Sequence, residues 1–392
     1  MTRSASAPRS LTAPTHRTSH RSLLTRVDDP AGSAPVDAVI VPATRTAAEL
    51  GPALRLAAAL SCPLLALCSH DTDAAAVGAA ARAMQATAIA VDVAGPLGLP
   101  RLLTTAQLAG TPFARRTDTS TKRNLGLAIT RMMGWQRVFL LDDDIRGVRP
   151  DTAQRAAALL EHFDVVGLRN DGYPDNSVVC HANRDTGGEQ GTFAGAGAMV
   201  IPQAGVTSLF PDVYNEDWFF LLDGVGLGAV AEHGTFRQER FDPYVNPQRA
   251  GREEFGDCLA EGVFALFHDG GRVTDADRPY WEGFLPVRAA LIDAIGRRLA
   301  AQDRLSRVRQ AQIAAALRVA RRNLQQISPK LCADYLAAWR HDRDEWRSWI
   351  ERLPRDGSLP DALARLGIDP GRSVHTGQPA ADGRRLAAIG TR

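Results

Sequence analysis

The sequence of 392 residues lacks several features that would identify a class of protein at once. No apolar run reaches the ~18–20 residues that a transmembrane helix needs, so no transmembrane segment is expected. The five cysteines stand far apart and form no C-x-x-C pair. Such spacing argues against a disulfide framework and a zinc site, and it favours a reducing, cytoplasmic compartment.

The chain also has a small net charge and very few lysines. The 46 basic residues nearly balance the 44 acidic ones and leave a formal charge of +2. This balance argues against extensive contact with nucleic acid, so we expect no nucleic-acid partner. Lysine occurs only at Lys122 and Lys330, and every other basic residue is arginine, which draws attention to Lys122.

Composition divides the chain into four parts, with the ranges 1–35, 36–275, 276–369 and 370–392. The first part is rich in Ser, Thr, Pro and Arg and has no acid before Asp28, so we expect a disordered tail. The second has the pattern of an α/β domain, and the last is also predicted to be a disordered tail. In the third, apolar residues at helical spacing predict a helical region. Its arginines could contact a membrane surface and its helices could join two copies, although a solvated face is the simpler interpretation.

Short apolar strands alternate with Ala-rich helices from Val36 to Val93, which predicts a parallel sheet covered on both faces. No G-x-G-x-x-G follows the first strand, so the dinucleotide fingerprint is absent. The ends of these strands instead carry side chains that can hydrogen-bond a nucleobase or a ribose, namely Thr44, Arg45, Asp71 and Asp92. Aspartates at these places can equally cap the helices that follow, and both roles stay open.

An apolar run, Val138–Leu141, ends in three consecutive carboxylates, Asp142, Asp143 and Asp144. Adjacent aspartates repel each other and have poor strand propensity, so a surface strand would not favour them. Mg²⁺ or Mn²⁺ relieves this repulsion, because such ions are held by carboxylates together with substrate phosphates. Ligands of open α/β sheets bind at the carboxyl ends of strands, which is where this cluster would lie. An acidic turn before a helix near Asp151 is the alternative.

Two further stretches could complete a ligand site near these carboxylates. Lys122 and Arg123 begin a predicted helix directly before the strand, where cations can neutralise a diphosphate. Gly195 and Gly197 precede an apolar strand, and residues without side chains permit close approach of the backbone to a ligand. The alternatives are a solvated helix start and a buried strand that needs small residues for packing.

Two segments are predicted to lack regular structure. Residues 100–121 are loop-like, and residues 170–185 are polar and irregular. The second segment could line an acceptor site, but a surface hairpin is the favoured interpretation.

These motifs together resemble a GT-A glycosyltransferase. The strand–helix–strand segment, the K-R-N-x-G helix and the strand ending in D-D-D are most similar to the large family 2 group, over residues 36–266. The resemblance implies a GT-A-like nucleotide-diphospho-sugar transferase fold, a mostly parallel sheet flanked by helices, with a C-terminal helical extension. It also implies a UDP- or GDP-sugar donor, an unidentified acceptor, and Mn²⁺ or Mg²⁺ as the cofactor.

The resemblance further assigns roles to individual residues. It implies that Asp142 holds the ribose or the metal, that Asp143 contacts the donor, and that Asp144 holds the metal and the diphosphate. Lys122 and Arg123 would bind the diphosphate. The glycine-rich stretch after residue 190 matches one that borders the donor sugar in GT-A enzymes.

In family 2 enzymes a Glu-Asp pair at the start of a helix includes the catalytic base. Glu216 and Asp217 match this place, with Asp217 as the base that deprotonates the acceptor hydroxyl. Acidic residues in a first helical turn also favour the macrodipole, which is the alternative. The resemblance implies a histidine metal ligand from a later strand, best matched by His233 and then by His268.

Departures from the family leave other functions open. The first strand lacks a clear N-x-x Asn, the second ends H-D-T-D where D-D-G-S is typical, and the missing Q-x-x-R-W segment argues against processive synthesis. The triple aspartate also resembles reversibly glycosylated polypeptides, which act as UDP-arabinopyranose mutases. A mutase and a non-catalytic sugar-nucleotide-binding protein are therefore the alternatives to a non-processive transferase. A sugar-phosphate nucleotidyltransferase is disfavoured, because residues 41–45 lack its glycine-rich loop.

Overall fold

The computed structural model describes residues 14–195 and 197–377, whose main feature is a ten-stranded, mostly parallel sheet flanked by helices. Its strands are β1 (Thr25–Arg26), β2 (Ala38–Ala43), β3 (Leu64–Cys68), β4 (Ala88–Asp92), β5 (Arg137–Leu141), β6 (Ile145–Arg146), β7 (Val165–Asn170), β8 (Ala198–Pro202), β9 (Val230–Gln238) and β10 (Ser373–Thr376). Along the sheet their order is β1-β9-β7-β8-β5-β2-β3-β4-β10, and β6 pairs with β9. The predicted α/β class is thus confirmed.

Helices cover both faces of this sheet and continue after it. They are α1 (Gly51–Ala59), α2 (Ala74–Ala83), α3 (Leu103–Leu108), α4 (Thr119–Met133), α5 (Pro150–Leu159), α6 (Val178–Asp185), α7 (Glu216–Phe220), α8 (Pro247–His268), α9 (Arg278–Ala300), α10 (Arg307–Leu324), α11 (Pro329–Glu351) and α12 (Leu359–Arg365). Strands β2, β3 and β4 are parallel neighbours, and β5 is parallel to β2 but antiparallel to β8. No helix in the described part of the chain is long and apolar enough to cross a membrane.

The central strands are buried because helices cover both of their faces. Every residue of β2 and β3 is buried, as is expected of apolar runs in parallel strands. Val39 and Val41 pack on the face of α1 and α5, and Ile40 packs on the face of α4. Helix α4 approaches closely because Gly126 has no side chain; a Cβ there would lie 2.8 Å from Ile40 Cγ2. This close packing fixes the position of α4, and with it Arg123, against the sheet.

The predictions of disorder at 1–35 and 370–392 are wrong where the structure describes those residues. In the first segment β1 pairs in parallel with β9, and His20 is buried. In the second, β10 pairs antiparallel with β4 along the edge of the sheet. Backbone groups at the edge of a sheet can order a polar segment by pairing with it, which composition does not reveal. Residues 1–13 and 378–392 lie outside the described residues.

Two segments predicted to be irregular contain helices, α3 and α6. Helix α3 begins where the buried Asp342 of α11 accepts hydrogen bonds from the N–H groups of Leu103 and Thr104, at 2.7 and 2.9 Å. Ser177 precedes helix α6 as its cap, and its hydroxyl accepts a hydrogen bond from the N–H of Cys180 at 3.2 Å. A side chain that accepts these N–H bonds stabilises a helix start. For α3 this side chain comes from a helix that is distant in sequence, so no local sequence pattern indicates where α3 begins.

Helices on both sides of the predicted boundary at 275 and 276 share one apolar core. This cluster contains Phe255 and Val263 of α8, Trp281 of α9 and Trp339 of α11, all of them buried. The C-terminal helices therefore pack directly on the α/β part of the chain.

Candidate functional site

A cavity of about 240 Å³ lies at one edge of the sheet, where β5, β7 and β9 end and the antiparallel β8 begins. This position agrees with the rule that open α/β sheets bind ligands at the carboxyl ends of their strands. Asn170 at the end of β7 and Gln238 at the end of β9 belong to its wall. The residues proposed from the sequence that line it are Arg123, Asp142, Gly195, Gly197, Glu216 and Asp217.

Two arginines join Asp142 and Glu216 in the wall of the cavity. Both Asp142 oxygens accept hydrogen bonds from Arg123 Nη2, at 2.8 and 2.9 Å. Arg123 Nη1 donates to Glu216 Oε1 at 2.9 Å, and Arg115 Nη1 donates to Glu216 Oε2 at 2.7 Å. Burial opposes the charge of Arg123, but Asp142 and Glu216 outweigh it and raise the pKa of the guanidinium. Arg123, the cation predicted before β5, is therefore charged and lies in the site. Arg115, which no sequence motif indicated, lies in the same cavity wall.

Asp143 holds the loop after β2 and is not among the residues that line the cavity. Its Oδ2 accepts hydrogen bonds from the N–H of Thr44 at 2.7 Å, from Thr44 Oγ1 at 3.0 Å and from the N–H of Arg45 at 2.9 Å. These bonds satisfy a carboxylate that is nearly buried. The donor contacts expected of Asp143 and Thr44 are thus replaced by contacts between them.

Asp144, the last carboxylate of the run, is bound by two side chains. Arg45 Nη2 lies 3.1 Å from its Oδ2, and Gln238 Nε2 lies 3.3 Å from the same oxygen. Desolvation and the charge of Asp142 raise the pKa of Asp144 to about 6, although the charge of Arg45 acts in the opposite direction. Because the Arg45 side chain is 40% exposed, solvent weakens this compensation. Asp144 therefore lies in a region with a surplus of negative charge.

Asp175 is a cavity carboxylate from the polar segment that could line an acceptor site. It lies in the loop between β7 and α6, where its side chain lines the cavity and is exposed to solvent. Desolvation, followed by the charges of Asp144, Asp217 and Asp142, raises the pKa of Asp175 to about 7. The favoured interpretation of its segment as a surface hairpin is wrong. No local motif marks Asp175, and only its neighbours in space do.

Gly195 and Gly197 leave room for the carboxylates that face them. A Cβ at Gly195 would lie only 2.7 Å from Asp217 Oδ2, whereas a Cβ at Gly197 would lie 3.5 Å from Asp142 Oδ2. The other Asp217 oxygen, Oδ1, accepts a hydrogen bond from the N–H of Trp218 at 3.0 Å. The position of Asp217 therefore requires glycine at 195, while position 197 can accept a methyl group.

The backbone before α7 is held in a left-handed turn by residues from two other helices. Asn215 has a φ of 61°, an uncommon conformation for a residue other than glycine. Its Nδ2 donates to Asp257 Oδ1 at 3.2 Å, and the buried Arg288 donates to Asp257 Oδ2 at 2.6 Å. Arg288 also donates two hydrogen bonds to Glu254. Helices α8 and α9 thus orient the turn that carries the acidic pair.

The structure does not bring Lys122 to the cavity. Its buried Nζ donates to the carbonyl of Ala43 at 2.7 Å and lies 3.2 Å from the carboxylate of Asp118. Burial lowers the pKa of Lys122, with Asp118 opposing. An ammonium group enclosed in this way cannot reach a diphosphate, so the expected role is wrong. Lys122 instead holds the end of β2.

His233 also lies apart from the carboxylates that it was expected to join. Its Nδ1 lies 2.9 Å from the carbonyl oxygen of Val27, next to β1. Within residues 14–195 and 197–377, Asp142, Asp144 and His233 do not form a set of three ligand atoms within 4.8 Å of one another. The predicted three-residue metal site is therefore wrong, because the strand that carries His233 presents it to the N-terminal segment.

Asp71 and Asp92 do not line the cavity either. Asp92 Oδ1 accepts a hydrogen bond from the N–H of Ala74 at 2.6 Å, at the start of α2. Asp71 is exposed, and its backbone N–H donates to the carbonyl of Thr44 at 3.0 Å. Asp92 thus binds the start of α2, the helix before its strand, and not the start of the helix that follows it.

A second group of potential ligands lines the same cavity. Cys180, Asp257 and Glu261 are buried, and one ligand atom of each lies within 4.8 Å of the others. The group could hold a metal ion. In this structure Asp257 is bound by Arg288, and Glu261 Oε2 lies 3.0 Å from His20 Nε2. An ion at this place would have to displace at least one of these partners.

Comparison with protein-family models gives no match, and comparison with curated proteins gives none. Among solved structures, the chain of A197 from STIV is similar, with 12% sequence identity and a TM-score of 0.28. The similarity covers 53% of this chain and 86% of that chain. A likeness this low adds nothing to the description of the fold or the site.

Proposed function

We propose that this protein is a metal-dependent, non-processive glycosyltransferase with a GT-A-like fold. It would move a sugar from a nucleotide-diphosphate donor to an acceptor hydroxyl. The observation that carries the proposal is the convergence of Asp142, Asp175 and Asp217 on one cavity at the carboxyl ends of the strands. The GT-A resemblance supports it, because the D-D-D strand, Arg123 and the Glu-Asp pair all contribute residues to that cavity.

The carboxylates of this region suit a hard divalent cation. Their donors are oxygen atoms, which Mg²⁺ and Mn²⁺ prefer, and the exposed Arg45 compensates them only in part. Asp175, in the wall of the cavity, and Asp144, which is not among its lining residues but binds the lining residue Gln238, would hold the ion, because both oxygens of Asp142 accept hydrogen bonds from Arg123. When bound, the ion would neutralise the diphosphate and stabilise it as a leaving group.

The protein's own residues would orient the reactants and move one proton. Asp217 accepts the proton of the acceptor hydroxyl as the acceptor oxygen bonds to the anomeric carbon of the donor sugar. The bond from that carbon to the diphosphate oxygen breaks, and its electron pair leaves with the nucleoside diphosphate. Arg123, fixed by Asp142 and Glu216, offers a cation to the diphosphate. Glu216 anchors the arginines, since each of its oxygens accepts a hydrogen bond from one of them.

Nucleotide binding tests the proposal most directly. Thermal shift is measured with UDP, GDP and their glucose conjugates, with and without Mn²⁺. A nucleotide at about 100 times its dissociation constant stabilises the protein by about 2.7 kcal/mol, and we expect this for one base and only with the metal. Asp144→Asn should lose the effect, because a metal ligand becomes a neutral amide. Asp71→Asn, the same change on an exposed loop outside the cavity, should keep it.

The outcomes distinguish the proposal from its alternatives. No shift with any nucleotide from a folded protein would exclude a sugar-nucleotide site. A shift that does not need Mn²⁺ would exclude the metal, and an unchanged shift in Asp144→Asn would exclude Asp144 as its ligand. Stabilisation by a sugar nucleotide that is never converted to nucleoside diphosphate would identify a binding protein.

A further inference from the structure

Helices α9 and α10 lie side by side and form, with the turn that joins them, a surface that we call the α9–α10 surface. A groove of about 710 Å³ runs along it, and its apolar lining includes Ile292, Leu299 and Leu317. Gly296 widens this groove, since a Cβ there would meet nothing within 4 Å. Val308, in the first turn of α10, is 70% exposed. Ile292, Leu299 and Leu317 are themselves buried, so Val308 supplies an apolar side chain that is open to solvent on this surface.

Arginines outnumber acids in the lining of this groove, which contains Arg297, Arg307, Arg318 and Arg321 together with Asp293. From Arg297 to Arg322 the sequence has eight arginines and one acid, Asp303, so the rest of the chain carries a net charge of −5. Arg321 of the groove pairs with Asp293 at 3.1 Å. The other groove arginines have no ion-pair partner among the described residues; they are Arg297, Arg307 and Arg318. This arrangement leaves several cations free for a ligand with negative charge.

We propose that the α9–α10 surface docks on membranes that contain anionic phospholipid. The free arginines would contact lipid phosphates, and Val308 would enter the boundary between headgroups and acyl chains. Arginine suits this position because its stem can lie on apolar surface while its guanidinium reaches a phosphate. The opposite charge on the rest of the chain would turn this face towards the bilayer. The surface is separate from the carboxylate cavity, so the proposal does not depend on the proposed enzyme activity.

Other partners match the surface less well. A two-fold dimer through this face would bring the same arginines against each other, which like charges oppose. A nucleic acid would neutralise the arginines but would leave the groove and Val308 in water. A bilayer surface satisfies both features, because it offers phosphates and an apolar boundary together.

Vesicle flotation tests this docking with the full chain. The lipids are phosphatidylcholine alone and phosphatidylcholine with roughly 30% phosphatidylglycerol, at about 0.1 M NaCl. We expect flotation only with phosphatidylglycerol, and release in about 1 M NaCl, where charge is screened within about 3 Å. Arg297→Gln, Arg307→Gln and Arg318→Gln combined should lower the partition coefficient about 100-fold, since each arginine accounts for about five-fold. Val308→Asp should also lower it, because a charge replaces the inserted side chain.

The control removes the same charge from exposed arginines on other elements. Arg82→Gln, Arg101→Gln and Arg352→Gln combined should keep most of the binding. Equal loss in the two triple variants would overturn the proposal, because binding would then follow net charge alone. Absence of flotation by the wild type would overturn it as well. Self-association of the wild type that the groove variants abolish would show instead that the surface joins two copies.

Discussion

Glu216 and Asp217 are neighbours in sequence, but their surroundings differ. Glu216 is held by Arg115 and Arg123, whereas Asp217 lies in the cavity wall with its Oδ2 close to Gly195. We expect Asp217→Asn to lower turnover about 10²–10⁴-fold, because an amide keeps the shape of the side chain but cannot take a proton. Nucleotide affinity should stay the same. Nucleoside diphosphate release and a binding titration with the same nucleotide measure the two effects, and a variant with wild-type turnover would rule out Asp217 as the base.

The two glycines of the cavity provide a matched pair of substitutions. In Gly195→Ala the new Cβ would lie 2.7 Å from Asp217 Oδ2, so the carboxylate or the backbone must move. A displacement of this size at a reacting group can lower turnover about 100-fold. In Gly197→Ala the nearest contact is an ordinary 3.5 Å, so we expect turnover near that of the wild type. Steady-state assays of both variants check the prediction, which equal effects would contradict.

His181 should make the stability of the protein depend on pH. Burial, with the charges of Arg184 and Arg249, lowers the pKa of His181 to about 3 from 6.5. Between these values the unfolded chain binds a proton that the native protein does not. The free energy of unfolding should therefore fall by up to about 1.4 kcal/mol per pH unit as the pH drops below 6.5.

The variant His181→Phe isolates this contribution from that of the acidic residues. Phenylalanine can keep the stack on Tyr173 and the edge contact with Phe241 but has no ionisable group. Urea denaturation at several pH values should show a smaller loss of stability in acid for the variant than for the wild type. Parallel curves for the two proteins would mean that His181 does not carry the effect.

At the scale of elements, the start of α3 depends on one side chain from α11. Asp342 accepts hydrogen bonds from the N–H groups of Leu103 and Thr104 and from the Thr104 hydroxyl. Asp342→Asn places an amide donor against these donors, and we expect a loss of about 1–3 kcal/mol in the free energy of unfolding. Asp344→Asn, an exposed change on the same helix, should cost less than about 0.5 kcal/mol. Urea denaturation of both variants gives the comparison, and equal losses would contradict a capping role.

The elements that could be predicted from the sequence are those whose signals are local. Strand β5 follows from an apolar run that ends in charges, and α2 follows from an Ala-rich run after Asp73, which caps it. Helix α3 could not be predicted, because its start depends on Asp342 of α11. Helix α6 does carry local signals, the cap Ser177 and the buried Val178 and Val179, but they lie within a segment of mostly polar residues. In such segments the helix propensity of the local sequence is overridden by contacts that form only when the chain folds.

At the scale of the whole molecule, about half of the residues discussed for the candidate site could be predicted from the sequence. Arg123, Asp142 and Asp217 were predictable because each adjoins a strand or helix with a clear pattern. Asp175 was not, because a loop brings it to the cavity and its neighbours are remote in sequence. Lys122 was assigned wrongly, since a charge at a helix start gives no sign of which way its side chain turns.

A further long-range connection runs from the C-terminal helices to the site through Arg288. This arginine is buried with Glu254 and Asp257, and Asp257 in turn binds Asn215 before the acidic pair. Arg288→Met would leave two buried carboxylates without their cation, so we expect a loss of about 3–5 kcal/mol in the free energy of unfolding. Glu254→Gln added to this variant should recover part of the loss, because it removes one of the uncompensated charges.

The control for this prediction is an ion pair of the same type on the surface of the same helix. Arg278 and Glu282 lie 3.0 Å apart but are 68% and 53% exposed, so Arg278→Met should cost less than about 1 kcal/mol. Urea denaturation measures all three variants. Similar losses for Arg278→Met and Arg288→Met would contradict the prediction, because burial of the pair would then make no difference. A large loss confined to Arg288→Met, reduced by the added Glu254→Gln, would mean that α9 stabilises the α/β part through this charge.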